Sequence, residues 1–367
     1  ELEEIKSNKI YENAFEWRIE FPEVLNDEGD FVGFDVVIGN PPYGVRFSPN
    51  ERRFLSTWYS TIDDIYSIFI EKGLDISKDS GILSLIIPIF WMTGDNYFAT
   101  RKLLNRKGHL YQGIVLPYDI FPDAYIDTGI FLFTRQLFDS CAKLFEFNPK
   151  ARINIDDLNS IQYNRYFTDE WGKNKDLKIV VDPISRSLDS KFSIHPNRVM
   201  DITDSIRGIL GSSEDYSEIP LSVAYKPILV GKLDRYNIEE KFQFVNYGDN
   251  LKEKPSSFSF FEGDRILVRR IVNRQFRIMA SLTSMPFVNK KDIYVFKPKT
   301  PEFTSKYLLA IFNSKLISYL KVKSSTTAKK DDFTQLTLND IREIRIPKPD
   351  SRIILEIEYL VDELLSK

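Results

Sequence analysis

The chain has 367 residues, 43 % hydrophobic and 14 % aromatic, with a net charge of −3, enough apolar material for two domains with substantial cores. Its one cysteine, Cys141, excludes an internal disulfide and a cysteine-rich zinc site, and its two histidines, His109 and His195, exclude a histidine-rich metal centre. The longest apolar stretch, Ile82 to Met92, is too short to span a bilayer and contains Pro88. A reducing compartment, no metal and no membrane are therefore expected, and a start at Glu1 rather than Met reads as a piece of something longer.

The small net charge hides a polarity. Residues 1–140 carry 13 Lys+Arg against 22 Asp+Glu, a net of −9, whereas residues 251–350 carry 20 against 10, a net of +10. A concentrated basic excess is the footprint expected where a phosphate backbone docks.

In chain order, Leu2 to Tyr11 reads as a short charged helix and Gly33 to Gly39 as the first core strand. The apolar run Phe34-Asp35-Val36-Val37-Ile38 stops at Gly39 and two prolines, which predicts a buried strand followed by a loop. Asn40-Pro41-Pro42-Tyr43 then lies at the strand's carboxyl end, where open α/β sheets bind their ligands.

Those residue types suit methyl transfer to an amino nitrogen. An exocyclic amine on adenine is a poor nucleophile because its lone pair is delocalised into the ring. The Asn40 side-chain carbonyl and the Pro41 main-chain carbonyl can each accept one amino hydrogen, stabilising charge that develops only in the transition state. The prolines, Pro41 and Pro42, fix the direction of the backbone, and Tyr43 offers a flat face to a base drawn from the stack. The plain alternative is a rigid turn after a strand.

A helix follows at about 62–76, with Ile65, Phe69, Ile70 and Leu74 at helical spacing and Glu71 and Lys72 outward. Gly81 ends the next turn and Ile82 to Pro88 is a second continuous apolar strand, making a β-α-β unit with parallel pairing. A helix at about 96–105 leads to strands near 113–116 and 129–133. The fold class is α/β, and this part is half of a doubly wound, Rossmann-like sheet.

These segments resemble the gamma-class adenine-specific DNA methyltransferases of type IIG restriction-modification systems, followed by a TaqI-like C-terminal specificity domain. The resemblance starts at Phe15-Glu16-Trp17 and Phe21-Pro22-Glu23-Val24 and takes in Asn40 to Tyr43. Asp64 to Leu74 resembles motif V, Ile86 to Met92 the strand and turn after it, and Ile120 to Ala124 with Thr128-Gly129-Ile130 motif VIII. It implies that Phe121 sandwiches a flipped adenine against Tyr43, that Phe69, Phe15 and Asn40 border S-adenosylmethionine, and that no metal takes part. Plain alternatives are a core role for Phe69 and a turn anchor for Phe121.

The chain departs from that family in one respect. The glycine-rich cofactor loop and the acidic residue that holds the ribose are not found in the 39 residues before Asn40. The resemblance thus implies an upstream cofactor-binding half from the same or another polypeptide. The strand ending at Gly39 is then expected to lack its inner neighbour and to leave an apolar edge unpaired.

Residues 1–140 read as the C-terminal half of a catalytic domain, 141–200 as a connecting segment, and 201–367 as a mixed α+β target-recognition domain. In the connector, Asp182-Pro183 and Asp189-Ser190-Lys191 faintly imitate a nuclease motif without its strand context. Beyond it, Pro227 to Lys232, Lys315 to Tyr319 and Gln335 to Ile341 resemble recurring elements of the specificity domain. Arg265, Arg269, Arg270, Arg274 and Arg277 fall within 13 residues, interleaved with Ile266, Leu267, Val268, Ile271 and Val272. Alternation on a strand pair would put several arginines on one face, suited to phosphates or guanine edges, with Lys232 as a further DNA contact. A solvated charged face is the plain alternative. A helix over Ser305 to Leu320, a basic stretch Lys321 to Lys330 and a packing helix over Ile354 to Leu365 complete the chain.

The expected function is methylation of adenine N6 in double-stranded DNA by a cytoplasmic bacterial or archaeal restriction-modification enzyme using S-adenosylmethionine. Two other classes stay open. A protein-glutamine methyltransferase of the release-factor type faces the same lone-pair problem, but its catalytic loop lies near the carboxyl end, whereas about 320 residues follow it here. The other is a DNA-recognition subunit without activity.

Overall fold

The computed structural model describes residues 17–117, 120–121, 126–149, 151–167, 171, 176–273, 275–324 and 335–366. The expected helix at Leu2 to Tyr11, Phe15, Arg274 and residues 325–330 of the basic stretch lie outside them. The chain divides into two compact units, Glu1–Val181 and Asp182–Lys367.

The first unit is built on a six-stranded sheet: β1 (Phe34–Gly39), β2 (Ser77–Pro88), β3 (His109–Val115), β4 (Thr128–Thr134), β5 (Cys141–Glu146) and β6 (Asn164–Phe167). Their order is β1-β2-β4-β3-β5-β6. The β1–β2 pair is parallel, as the β-α-β reading requires, with Ile38 opposite Ser84 and Gly39 opposite Leu85. β4 is antiparallel to both β2 and β3, so β1, β2 and β3 point their carboxyl ends the same way. The α/β class and the partial doubly wound sheet expected from the sequence are both present.

Its longer helices are α1 (Pro49–Trp58), α2 (Ile65–Ile76) and α3 (Phe98–Lys107). α1 opens on a capping box formed by Ser48 and Glu51 with Pro49 in the first turn, a combination that satisfies orphan N–H groups and presets φ. α2 starts from Asp64, whose side chain accepts from the Ile65 N–H. It lays Tyr66, Ile70 and Leu74 against Leu83, Leu85 and Ile87 of β2 and Phe131 and Phe133 of β4. The Trp91 ring meets Phe131 edge-on at 5.1 Å.

Two expectations are corrected here. Glu71, expected to face outward, is buried, and its carboxylate accepts from the Ser60 N–H at 2.8 Å and the Ser60 hydroxyl at 2.9 Å. It lies 3.7 Å from the Lys107 ammonium. A buried carboxylate is tolerated because these donors replace its water. Residues 141–181, expected as part of a connector, instead belong to the first unit: β5 pairs parallel with β3, β6 pairs with β5, and Leu144, Tyr166 and Trp171 join the core. Short strands separated by polar loops carry too little periodicity to announce that extension.

β1 ends the strand order among the described residues. Val37 packs on the core, while Val36 and Ile38, on the opposite face by strand alternation, are 61 % and 79 % exposed. The strand expected to be buried is thus open on one face and, among the described residues, along one edge.

The second unit has a four-stranded antiparallel sheet, a three-stranded sheet and a small two-stranded hairpin. The strands are β7 (Thr203–Arg207), β8 (Tyr216–Ser217), β9 (Tyr225–Leu229), β10 (Leu233–Asp234), β11 (Asn237–Ile238), β12 (Phe242–Asn246), β13 (Arg265–Arg269), β14 (Ala280–Thr283) and β15 (Ile293–Pro298). The helices are α4 (Pro183–Ser193), α5 (Ser305–Asn313), α6 (Lys315–Ser324) and α7 (Ser351–Leu365), together with shorter turns. Ile266 and Val268 of β13 share a core with Leu308 and Phe312 of α5 and Val361 of α7. Leu267, between them, faces Ile228 and Val245 of the smaller sheet. The central sheet is therefore covered on both faces, which is why β13 reads as a nearly continuous apolar run.

The helix expected over Ser305 to Leu320 is two helices that part at Ser314. Asp182, which resembled part of a nuclease pair, caps α4 by accepting from the Ser185 N–H and also accepts from the Tyr319 hydroxyl at 2.8 Å. Among the described residues no helix is long and apolar enough to cross a membrane.

Candidate active site and nucleic-acid interface

Gly39 ends β1, and Asn40 to Tyr43 follow without regular structure. Within that loop Asn40 and Pro42 are exposed, Pro41 is buried, and Tyr43 is half-buried against the core cluster of the first unit. The buried Pro41 and the core-packed Tyr43 therefore anchor the loop on either side of the exposed Pro42, while Asn40 stays at the surface. Gly44 turns the chain at φ +72°, a left-handed conformation that favours glycine.

What ties this loop down is a residue of α2. The Gly44 N–H donates to the Asp64 carboxylate at 3.1 Å, and the Tyr97 hydroxyl donates to the same carboxylate at 3.4 Å. Tyr97 stacks on Tyr66 with ring centroids 5.7 Å apart. Burial pushes both phenols up, Tyr66 far above the usual tyrosine value, so both stay protonated at neutral pH. Neither Asp64 nor Tyr97 stood out as a site residue in the sequence. An aspartate directly before an apolar helical run is a helix-start signature, and that signal marks Asp64.

Phe69, five residues into α2, is 46 % exposed between the buried residues Ile68 and Ile70. This corrects the core alternative: its ring is available to a ligand. Phe121 is half-buried and lies six residues past the end of β3. That connection is pinned where the Leu116 N–H donates to the Thr128 carbonyl and the Ile89 N–H to the Asp127 carbonyl. The topology thus puts the carboxyl ends of β1 and β3 on the same side of the sheet, with β2 and β4 between them. Phe15 lies outside the described residues.

α1, the helix after the loop, buries none of its residues, and its Phe54 and Trp58 are exposed. Arg46, Arg52 and Arg53 are exposed beside them.

In the second unit the arginine cluster separates into different environments. Arg265 is fully buried on the Leu267 face of β13; its guanidinium donates to the carbonyls of Gly263, Met285 and Phe287. Burial holds this guanidinium down at about 10. That corrects its reading as a DNA contact, because a strand covered on both faces sends its side chains into core. Arg277 donates to the Asn313 carbonyl at 2.5 Å, and burial lowers its pKa as well. Arg270 pairs with Asp292 at 3.7 Å. Arg269 is half-exposed and Lys232 exposed. Arg274 lies outside the described residues.

Comparison with known proteins gives two family matches, the Eco57I restriction-modification methylase over residues 2–121 and the TaqI-like C-terminal specificity domain over residues 226–346. The chain is 36 % identical over 355 residues to the type II restriction enzyme and methyltransferase RM.MjaORFECS2P of Methanocaldococcus jannaschii, a stretch that is 93 % of this chain and 29 % of that protein. It is 30 % identical over 100 residues to the type II methyltransferase M.TthHB8I of Thermus thermophilus, 23 % of each chain. Among solved structures, the type IIL restriction-modification enzyme MmeI in complex with DNA shares the fold, with a TM-score of 0.56 at 9 % identity over 90 % of this chain and 49 % of that one. The chain spans less than a third of the length of these two sequence relatives. Residues 2–121 thus match part of the Eco57I restriction-modification methylase family, and residues 226–346 match the TaqI-like C-terminal specificity domain.

Proposed function

We propose that this chain is the base-presenting and sequence-reading part of a DNA methyltransferase that modifies adenine at N6 with S-adenosylmethionine as donor. The observation that carries the reading is the loop itself: an exposed Asn40 amide held beside the buried Pro41 at the carboxyl end of a strand, with Tyr43 wedged on the core. Two carbonyl acceptors so held bind the two hydrogens of one exocyclic amine better as its nitrogen becomes tetrahedral than while it is planar. Tyr43 and Phe121, which follow the carboxyl ends of β1 and β3, bracket the extruded ring, and stacking on such faces offsets the cost of leaving the duplex.

S-adenosylmethionine supplies an electrophilic methyl group. The residues present fit one side of it: the exposed Phe69 ring offers an apolar face for a purine, and Asn40 lies at the end of the strand that precedes α2. The exposed face of β1 and its edge, open among the described residues, are suited to a further parallel strand, and we assign the remainder of the cofactor site to a segment that pairs there. In the second unit, Lys232 and Arg269 are the members of the basic set free to reach DNA.

Incubation of the complete polypeptide with S-adenosylmethionine and duplexes of mixed sequence, followed by nucleoside analysis, tests this reading. N6-methyladenine is the expected product. Methylcytosine, or label on protein in place of DNA, overturns it.

A further inference from the structure

The carboxylate of Asp64 does more than a helix cap requires. Capping α2 uses one acceptor, Oδ1, which takes the Ile65 N–H at 2.7 Å, and a serine or threonine hydroxyl serves that purpose as well. The same oxygen takes the Gly44 N–H at 3.1 Å, while Oδ2 lies 3.4 Å from that nitrogen and 3.4 Å from the Tyr97 hydroxyl. Gly44 immediately follows Tyr43, and α2 carries Phe69. One carboxylate thus links the base-accepting loop to the helix proposed to face the cofactor.

The crossing point is not enforced by crowding. A Cβ built on Gly44 meets nothing within 4 Å, so the space beside that residue is open, and its N–H is held by the bond to Asp64. Tyr97 adds a second donor to the carboxylate, and its ring packs against the core.

We infer that Asp64 is a positioning residue for methyl transfer: by holding the Gly44 N–H at the start of α2, it sets the distance between the amine acceptors Asn40 and Pro41 and the cofactor. This rests on the methyltransferase reading above. It touches neither substrate nor donor, and its effect falls on the rate of transfer rather than on binding. Misplacement of reacting groups by about 1 Å costs on the order of 10²-fold in rate.

The test compares Asp64→Ser, Asp64→Asn and wild type in the complete polypeptide. Serine keeps the cap but is too short to span Ile65 and Gly44 together; asparagine keeps an acceptor oxygen at the same reach. Single-turnover methyl transfer, KM for S-adenosylmethionine and for duplex DNA, thermal midpoint, and fluorescence of 2-aminopurine at the target base are measured. The expected result is a loss of about 10²-fold in transfer rate for Asp64→Ser, with both KM values and the thermal midpoint near wild type, a changed 2-aminopurine signal, and recovery of most of the rate by Asp64→Asn. An Asp64→Ser enzyme that transfers at the wild-type rate overturns the positioning role alone, as does a rate loss that only tracks a fall in thermal midpoint. A folded wild type that transfers no methyl group to DNA overturns the reading on which the role rests.

Discussion

The guanidinium of Arg265 lies 4.7 Å from the centre of the Phe287 ring and donates to the Phe287 carbonyl at 3.1 Å. An arginine that heads a basic run in the sequence is thereby a strut inside the second unit. Replacement by alanine leaves three carbonyls without a donor and opens the space over Phe287, and is expected to cost about 3 kcal/mol. Denaturant unfolding of the Arg265→Ala variant checks this; stability within about 0.5 kcal/mol of wild type would return Arg265 to the surface set.

Lys232 and Arg269 behave differently. Each is expected to contact phosphate, so neutralising either weakens DNA binding uniformly across sequences and lowers the dependence of log K on log salt by about one unit. Titrations of Lys232→Ala and Arg269→Ala at several salt concentrations measure the slope. Unchanged slopes in both would remove these two side chains from the interface.

Phe69 is exposed on an otherwise well-buried helix, so its removal leaves the core intact. Phe69→Ala is expected to change stability by less than about 0.5 kcal/mol while raising KM for S-adenosylmethionine by about tenfold or more, the loss from exposing a ring a ligand had covered. An unchanged KM would place the cofactor elsewhere.

His109 opens β3, and burial pulls its pKa below the ordinary value of 6.5. The unfolded chain therefore binds more protons than the folded one between the lowered pKa and about 6.5. Its contribution to stability is complete above about pH 6.5 and is lost as pH falls through that window. A His109→Gln variant is expected to show a flatter fall in unfolding free energy on the acid side, measured by denaturant titration between pH 7 and 5 or thereabouts. A slope unchanged by the substitution would contradict the burial effect.

The first unit was readable where side chains repeat with the period of their element. The apolar runs before Asn40 and Pro88 and the 3.6-residue spacing of Ile70 and Leu74 place strands and helix, and the prolines after Gly39 place the loop. Glu71 was misread because a helical wheel sends a charge to water, while Ser60 and Lys107 arrive from segments no local pattern connects to it. Arg265 was misread for a related reason: alternation fixes which residues share a face but not what covers that face, and β13 is covered on both. The exposure of Val36 and Ile38 follows from what pairs beyond β1, which is decided outside the strand's own residues.

That Asn40 accepts a hydrogen from the amine under attack is tested most directly by transfer of a labelled methyl group from S-adenosylmethionine to duplex DNA by the complete polypeptide and its Asn40→Ala variant. The variant is expected to bind DNA and S-adenosylmethionine as wild type does while losing about 10²-fold or more in single-turnover rate. A variant that transfers the label at the wild-type rate would contradict it.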